Sequence, residues 1–418
     1  MADNAYAYTS WQLRRLPQDP LKRAHALLDK SPLIDGHVDL PILAREMYQN
    51  QPDRVKLENS HFSGHVTIPA LRKGKVGGFF WSVYVPCPED ADYPPDNVGN
   101  FSTSTWRVRD TLEQFDQTKL LINKYSDTFE LVKTEREWRK AVKRSKVAGM
   151  IGVEGGHQLG TSLSTLRMYY ELGARYVTLT HTCNSALADT CGYQGAPVAP
   201  RWNGLSPFGR VAVKEMNRLG MIVDVSHTSP ETAHQALSLS KAPVIFSHSN
   251  ARAVHDHVRN VPDSILERIG RIRTQTSEDK DGIPAGDTII MLNFSPDFIS
   301  ETSETTGPRA NITLLADHAD HIGRVAGRRY VGIGSDFDGI LKTPVGLEDV
   351  SKYPHLLAEL IRRGWTDDEV RGVASENFLR VLKGVERVKA KLRHEKPYTD
   401  VFESRLSGDM RVKWPSTA

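Results

Sequence analysis

Residues 221–249 read MIVDVSHTSPETAHQALSLSKAPVIFSHS, two short apolar runs separated by a helical pattern. Both runs are rich in β-branched residues, and their apolar residues are continuous rather than alternating. This is typical of strands in a parallel sheet that is covered on both faces. Between the runs, Ser229 is a helix-capping residue and Pro230 suits the first helical position. The stretch therefore predicts a strand, a helix and a second strand.

The same alternation of strand and helix recurs along most of the chain. Eight apolar runs, each bounded by Gly, Pro, Ser or a polar cluster, are predicted strands: 32–37, 77–86, 148–156, 176–182, 221–227, 243–249, 288–294 and 330–337. Helical patterns such as SLSTLRMYYELG separate most of them. About eight β/α units in one chain predict an α/β protein with a (β/α)8 TIM-like barrel. A doubly wound sheet is the alternative architecture.

The pattern predicts a single domain with additions. The barrel is expected to occupy residues 31–385, after an N-terminal helical extension at residues 1–30. A helical insertion follows the second strand and contains the long amphipathic segment STWRVRDTLEQFDQTKLLINKY. Residues 386–418 are expected to form a C-terminal arm with weak regular structure.

Composition restricts the classes of function. The chain has 418 residues, of which 39% are hydrophobic, and its 54 Lys and Arg nearly balance its 51 Asp and Glu. The sequence has no stripe of basic residues combined with a motif that recognises nucleic-acid bases, so a nucleic-acid partner is not expected. No apolar segment suggests a signal peptide, a membrane span or a lipid anchor. These features favour a cytoplasmic protein without a membrane anchor.

Metal-binding residue types stand at the ends of six of the eight predicted strands. The active site of a (β/α)8 barrel lies at the carboxyl ends of its strands. Any single histidine is more often a core residue, but converging carboxylates and imidazoles are costly to desolvate unless they are paired or metal-bound. A mixed nitrogen and oxygen set suits zinc. The residues concerned are His37, Asp39, Glu154, His181, His227, His248 and Asp336.

Seven motifs then occur in order along the chain: DGHVDLP, GVEGGH, LTHTCN, VDVSH, VIFSHSNA, RNVPD and GIGSDFDG. In these motifs the chain resembles the membrane (renal-type) dipeptidase family of zinc metallopeptidases. The resemblance extends over roughly residues 30–385. It implies a zinc-dependent dipeptidase with two zinc ions per chain, a dipeptide substrate and a homodimeric assembly.

The resemblance also implies a metal ligand for each matching position. His37 and Asp39 would bind one zinc ion, His227 and His248 the other, and Glu154 would bridge both. A hydroxide shared by two such cations would attack the scissile carbonyl carbon.

Three further positions match substrate-side residues of the family. His181 would stabilise the oxyanion. Arg259 would bind the substrate carboxylate with its planar guanidinium group. Asp336 would accept the substrate ammonium group or pass a proton to the leaving amine. Together with Glu154, His181 and Asp336 are the predicted catalytic residues.

Other polar residues near the motifs are expected to have structural roles. Asp338 is interpreted as support for its loop, and His318 and His321 as surface residues of a helix rather than ligands. Cys87 and Cys183 match the positions of a family disulfide but can remain thiols in a reducing cytoplasm, so their pairing stays open. Cys191 has no counterpart and is interpreted as a plain buried thiol.

Several functions remain open at the level of sequence. Dipeptides with a D-residue at the second position and cysteinyl-glycine adducts of a biosynthetic pathway are alternative substrates. A lactonase or other amidohydrolase on the same barrel would typically begin with H-x-H, and Asp39 argues against it. A metal-binding homologue without catalysis is the non-enzymatic alternative.

Overall fold

The structure is a computed structural model, and it describes residues 16–402 apart from 60–61, 89–100, 102–105, 194–197, 276–286 and 302–308. Within these residues the chain forms one sheet of nine strands. The strands are β1 (Leu33–Val38), β2 (Val76–Tyr84), β3 (Phe129–Leu131), β4 (Val147–Glu154), β5 (Ala174–Thr178), β6 (Ile222–Asp224), β7 (Val244–Phe246), β8 (Thr288–Leu292) and β9 (Val331–Ile333).

Eight of these strands close into a barrel. Their order is β2–β1–β9–β8–β7–β6–β5–β4, and β2 also pairs with β4, from Gly78 opposite Ala148 to Tyr84 opposite Glu154. Every pairing between the strands is parallel. The predicted (β/α)8 barrel is therefore confirmed. The doubly wound alternative is wrong, because such a sheet is open and β2–β4 pairing leaves no open edge.

Each of the eight predicted runs overlaps one barrel strand. The additional strand, β3, lies in the predicted helical insertion and pairs in parallel with the first residues of β4. It is three residues long, which is too short for a periodicity signal in the sequence.

Helices surround the barrel and begin where the sequence signals predict them. The side chains of Ser162, Ser206 and Ser229 each accept a hydrogen bond from a backbone N–H in the first turn of a helix. No helix of the described part of the chain combines the length and the apolar character needed to cross a membrane. The helices are α1 (Pro20–Leu28), α2 (Leu40–Tyr48), α3 (Ile68–Lys73), α4 (Arg107–Lys124), α5 (Glu135–Lys143), α6 (Leu163–Leu172), α7 (Pro207–Leu219), α8 (Pro230–Leu239), α9 (Asp263–Gln275), α10 (Pro296–Ile299), α11 (Ile312–Ile322), α12 (Tyr353–Arg362), α13 (Asp367–Arg371) and α14 (Asn377–Leu392).

The terminal helices pack on the barrel. Helix α1 lies in the predicted N-terminal extension, and its Arg23 forms an ion pair with Asp367 of α13 at 2.7 Å. Helix α14 ends at Leu392, so a regular helix continues beyond residue 386, the predicted start of the C-terminal arm. Residues 1–15 and 403–418 of the two predicted extensions lie outside the described residues.

Apolar side chains fill the barrel. Ile34, Phe80, Met150, Tyr176 and Ile245, from five different strands, belong to one buried cluster. Phe378 of α14 packs edge-on against Phe80, with 5.4 Å between the ring centroids. Burial of each large apolar side chain contributes about 1.5–3 kcal/mol. The filled interior leaves the carboxyl ends of the strands as the place where polar side chains can gather.

Candidate metal centre

The sequence-predicted ligands gather at the carboxyl ends of the strands. His37 lies near the end of β1, Asp39 directly follows that strand, and Glu154 is the last residue of β4. His227 and His248 lie on the loops that follow β6 and β7. Because the barrel strands are parallel, these segments all end at the same side of the barrel. Their side chains form overlapping groups whose ligand atoms lie within 4.8 Å of one another.

Glu154 stands between two pairs of candidate ligands. Its Oε2 atom lies 3.4 Å from Nε2 of His37, which is itself 3.3 Å from Oδ2 of Asp39. Its Oε1 atom lies 3.1 Å from Nε2 of His227 and 3.3 Å from Nε2 of His248. The side chain is only 4% exposed. The two carboxylate oxygens thus face different ligand pairs, which is the geometry of a carboxylate that can bridge two cations.

The unsatisfied atoms of the cluster fit a metal. Nε2 of His37 and Oδ1 of Asp39 are buried and have no hydrogen-bond partner among the described residues. The Nε2 atoms of His227 and His248 are 3.0 Å apart, and two lone pairs at that distance repel unless a proton or cation lies between them. Unpaired buried carboxylates are costly as well. The imidazole and carboxylate donors suit zinc and, less specifically, other divalent cations.

The opposite ring nitrogens of two candidate ligand histidines are held by outer partners. Nδ1 of His37 lies 2.8 Å from the hydroxyl of Tyr176. Nδ1 of His248 lies 2.8 Å from Oγ of Ser247, and that hydroxyl donates to Oδ2 of Asp224 at 2.7 Å. These contacts leave Nε2 of each ring free to bind a cation, as outer partners do in metal sites.

These outer partners and Asp35 were not predicted from the sequence. The Asp35 carboxylate accepts hydrogen bonds from the backbone N–H groups of His37 and Ser335 and from the hydroxyls of Ser335 and Tyr353. It thereby joins β1 to the loop after β9. A signal does exist, since Asp35 and Asp224 are acidic residues inside strands, two and three positions before a predicted ligand.

Burial determines the protonation of three of the four histidines at the site. It lowers the pKa of His181, His227 and His248 well below the usual range, and the nearby Arg259 charge lowers all three further. These rings are therefore neutral at physiological pH and carry the lone pair that a metal ligand needs. Burial also raises the pKa of Asp336 to about 6, with the Asp39 charge as the next contribution.

His181 and Asp336, two of the predicted substrate-side residues, border the ligand cluster. Nε2 of His181 is 3.7 Å from Oε1 of Glu154, and its ring packs on that of His227 with 4.1 Å between centroids. Oδ1 of Asp336 is 3.9 Å from Nε2 of His37, and its Oδ2 accepts a hydrogen bond from Asn293 at 2.9 Å.

Arg259 is buried next to His248, and only 3% of the residue is exposed. Its Nη2 donates to the carbonyl of His248 at 3.3 Å, and its guanidinium lies 5.2 Å from the ring of Phe298. Its Nε atom is buried and has no hydrogen-bond partner within the described residues. The guanidinium therefore retains an unused donor next to the cluster.

The remaining predictions have mixed outcomes. His318 is fully buried, where Nδ1 accepts from the N–H of Ala251 and Nε2 lies 3.0 Å from the carbonyl of Ile299. The prediction of a surface position is therefore wrong for His318, because this face of α11 packs inward. His321 is partly buried and pairs with Asp263 at 2.7 Å. Asp338 accepts from the backbone N–H of His65, a contact that supports its loop.

The two cysteines whose pairing the sequence left open form a disulfide. Cys87 and Cys183 have Cα atoms 6.1 Å apart and join the loop after β2 to the loop after β5. Cys191 is a free thiol and is only partly buried.

The fold and the cluster together define a (β/α)8 barrel protein with a candidate metal centre. Comparison with family models gives a match of residues 21–396 to the model described as membrane dipeptidase (peptidase family M19). The chain belongs to this family.

Known proteins agree with this assignment. An uncharacterized dipeptidase of Schizosaccharomyces pombe is 44% identical over 383 residues, which are 90% of this chain and 86% of that protein. A metallopeptidase of Rhodobacter sphaeroides, whose structure is liganded with a phosphinate mimic of the dipeptide L-Ala-D-Ala, is 26% identical to this chain with a TM-score of 0.70. The superposition covers 85% of this chain and 99% of the metallopeptidase chain. The probable dipeptidase PvdM of Pseudomonas aeruginosa shares the fold, with a TM-score of 0.74 and 21% sequence identity. The superposition covers 89% of this chain and 100% of the PvdM chain.

Proposed function

We propose that this chain is a zinc-dependent dipeptidase that hydrolyses free dipeptides with two bound zinc ions. His37 and Asp39 would hold one ion, His227 and His248 the other, and Glu154 would contribute one oxygen to each. The observation that carries this proposal is the position of Glu154, whose Oε2 faces His37 and whose Oε1 faces His227 and His248.

The bound zinc ions and the side chains would have separate roles in the reaction. Two bound zinc ions would supply an activated water and polarise the scissile carbonyl. His181, kept neutral by burial, would donate a hydrogen bond to the oxygen of the tetrahedral intermediate. One such donor contributes about 2.7–4 kcal/mol of transition-state stabilisation.

The chain would also bind both ends of a short substrate. The buried guanidinium of Arg259 suits a free carboxylate, because a charge-assisted hydrogen bond is strongest where water is excluded. Asp336 would accept a hydrogen bond from the ammonium group of the substrate or pass a proton to the leaving amine. A site that meets both charged ends fits dipeptides and excludes longer chains by geometry.

The substrate range is proposed from the chemistry of the site and from a relative. The Rhodobacter sphaeroides metallopeptidase is liganded with a phosphinate mimic of L-Ala-D-Ala, which supports dipeptides with a D-residue at the second position. Cysteinyl-glycine adducts remain an alternative substrate class. We further propose a homodimeric assembly, which family membership supports.

Blocked substrates test the proposal. Zinc-loaded enzyme should hydrolyse L-Ala-L-Ala, L-Ala-D-Ala and Cys-Gly, and the corresponding carboxyl amides should have a lower kcat/KM. The lost charge-assisted hydrogen bond corresponds to about 1.5–3 kcal/mol, or about 10–150-fold. Arg259→Lys should raise KM for free dipeptides but not for amides.

The control is Arg252→Lys, a change at a partly exposed arginine paired with Asp256 at 2.7 Å, which should leave both substrate sets unaffected. Equal hydrolysis of free and amidated peptides by the unmodified enzyme would remove the role proposed for Arg259. Full activity without any bound metal would contradict the zinc-dependent mechanism.

A further inference from the structure

A second group of potential ligands lies outside the five-residue cluster. It consists of Cys87 after β2, His157 after β4 and Cys183 after β5. Each residue offers one ligand atom, and the three atoms lie within 4.8 Å of one another. All three residues are partly buried, so the group is screened by the protein but still reachable from solvent.

The imidazole of His157 is oriented as in a metal ligand. Its Nε2 lies 2.7 Å from the carbonyl oxygen of Val85, which can only accept, so Nε2 carries the proton and Nδ1 the lone pair. Nδ1 is buried and has no hydrogen-bond partner in the described part of the chain. Burial lowers the pKa of His157 to about 4, so the ring is neutral at physiological pH. Metal-binding histidines commonly donate their other N–H to a backbone carbonyl.

The disulfide does not explain this orientation. A disulfide has no proton to donate, so it leaves the lone pair of His157 Nδ1 unused. In the reduced state the two sulfurs become thiols, and their thiolate forms are ligands for zinc and other soft or borderline cations. Arg107 donates to the carbonyl of Cys87 at 3.2 Å, and a neighbouring cation of this kind favours the thiolate form.

We propose that Cys87, Cys183 and His157 form a binding site for one zinc ion when the disulfide is reduced. A dithiol reductant transfers two electrons and two protons to the disulfide and leaves as its own disulfide. Zn²⁺ then displaces the two thiol protons and binds both sulfurs and Nδ1 of His157. Solvent completes the tetrahedral set, as in other sites with two cysteines and one histidine. The Cα atoms are 6.1 Å apart, so side-chain rotation brings both thiolates to a common ion.

This site would maintain one connection in two redox states. The disulfide joins the loops after β2 and β5, and the zinc ion would join the same loops after reduction. His181 lies two positions before Cys183, and the hydroxyl of Thr182 between them donates to Sγ of Cys87 at 3.5 Å. The loop that carries His181 would therefore keep its attachment in both oxidising and reducing surroundings.

Cobalt provides a spectroscopic test that does not depend on the proposed dipeptidase function. The full-length enzyme is reduced with a phosphine, which contains no thiol, and is titrated with Co²⁺ without oxygen. The five ligands of the candidate metal centre are imidazoles and carboxylates. A thiolate-to-cobalt charge-transfer band in the near ultraviolet therefore reports only on a cysteine site. We expect this band at one Co²⁺ per chain in reduced enzyme and none in the disulfide form, and Zn²⁺ should displace it.

Variants assign the ligands. Cys191→Ser should retain the band, whereas Cys87→Ser should weaken it and remove the requirement for reduction. Loss of a hydrogen-bond partner of a ligand lowers metal affinity by about tenfold or more, and loss of a ligand itself should lower it at least as much. His157→Gln should therefore reduce the Co²⁺ affinity by about tenfold or more. The proposal is overturned if reduced enzyme of unmodified sequence shows no such band. It is equally overturned if the band depends on Cys191 or if His157→Gln leaves the affinity unchanged.

Discussion

His248 is connected through Ser247 to the buried carboxylate of Asp224. The ring N–H at Nδ1 donates to Oγ of Ser247, and the Ser247 hydroxyl donates to Oδ2 of Asp224. Asp224 is further fixed by the backbone N–H groups of Ser226 and Ser247, at 3.1 and 2.9 Å. This chain of hydrogen bonds fixes the tautomer of His248 and directs its Nε2 towards Glu154.

Ser247→Ala should therefore weaken metal binding without a change in any ligand. The variant leaves Nδ1 of His248 without its acceptor, and loss of such an outer partner typically reduces metal affinity by about 10–100-fold. Zinc affinity is measured by competition with a chromophoric chelator. Ser249→Ala is the matched control, because this buried serine contacts Ser226 at 3.2 Å rather than His248. An unchanged zinc affinity of Ser247→Ala would contradict the role of these connected hydrogen bonds.

At this scale the sequence pointed to the candidate ligands, which the structure brings together, but not to their outer partners. His37, Glu154 and His248 are recognisable because imidazoles and carboxylates are unusual at the ends of buried strands. Tyr176 and Ser247 lie within runs that any strand could contain, and their roles depend on which atoms the barrel brings opposite them. His318 was misassigned for the same reason, since its burial depends on how α11 packs.

At the scale of elements, the loop after β9 approaches Asp39 very closely. Asp336 and Asp338 adopt positive φ angles of 64° and 68°, which turn this loop over the end of β1. A Cβ atom on Gly339 would lie 2.1 Å from Oδ2 of Asp39. Only glycine at position 339 leaves room for the carboxylate beside His37.

Gly339→Ala should displace the Asp39 carboxylate and weaken one of the two proposed zinc positions. We expect the zinc content to fall from about two ions towards one per chain, with a decrease in kcat, while the circular dichroism spectrum is retained. Gly364→Ala is the control. This residue has φ 82° and no atom within 4 Å of its Cβ position, so it should lose stability but keep its metal. Retention of both ions by Gly339→Ala would contradict the steric argument.

The sequence predicted elements well where they are long or bounded by strong signals. Continuous apolar runs located all eight barrel strands, and serine caps located the start of several helices. The three-residue β3 gave no such signal. Helix α14 continues past the predicted start of the C-terminal arm, and Val385 and Leu392 lie on its buried face.

At the scale of the whole molecule, the candidate metal centre concentrates buried polar charge. Asp39, Glu154 and four histidines lie together at one end of an otherwise apolar barrel. Without cations this cluster opposes folding, because ionised groups are desolvated without full compensation. Bound metal should therefore stabilise the whole barrel rather than one loop.

Chelation of the metal should lower the melting temperature of the enzyme. An ion present at about 100 times its Kd stabilises the folded state by about 2.7 kcal/mol. For a large domain each kcal/mol corresponds to about 2–4 °C, so loss of two ions should lower Tm by on the order of 10 °C. Differential scanning calorimetry with and without chelator measures this. Chelation should lower the Tm of Glu154→Gln by less than that of the unmodified enzyme. Equal Tm values for the metal-loaded and chelated forms of the unmodified enzyme would contradict the prediction.

The junction of β1 with β9 also determines when the enzyme can become active during synthesis. Asp35 and Ser335 are 300 positions apart, and their hydrogen bond lies directly beneath His37. A growing chain on the ribosome cannot complete this junction until β9, about 300 residues after β1, has been synthesised and has left the exit tunnel. Peptide hydrolysis should therefore begin only after β9 has joined β1, and shortened translation products that lack β9 should be inert.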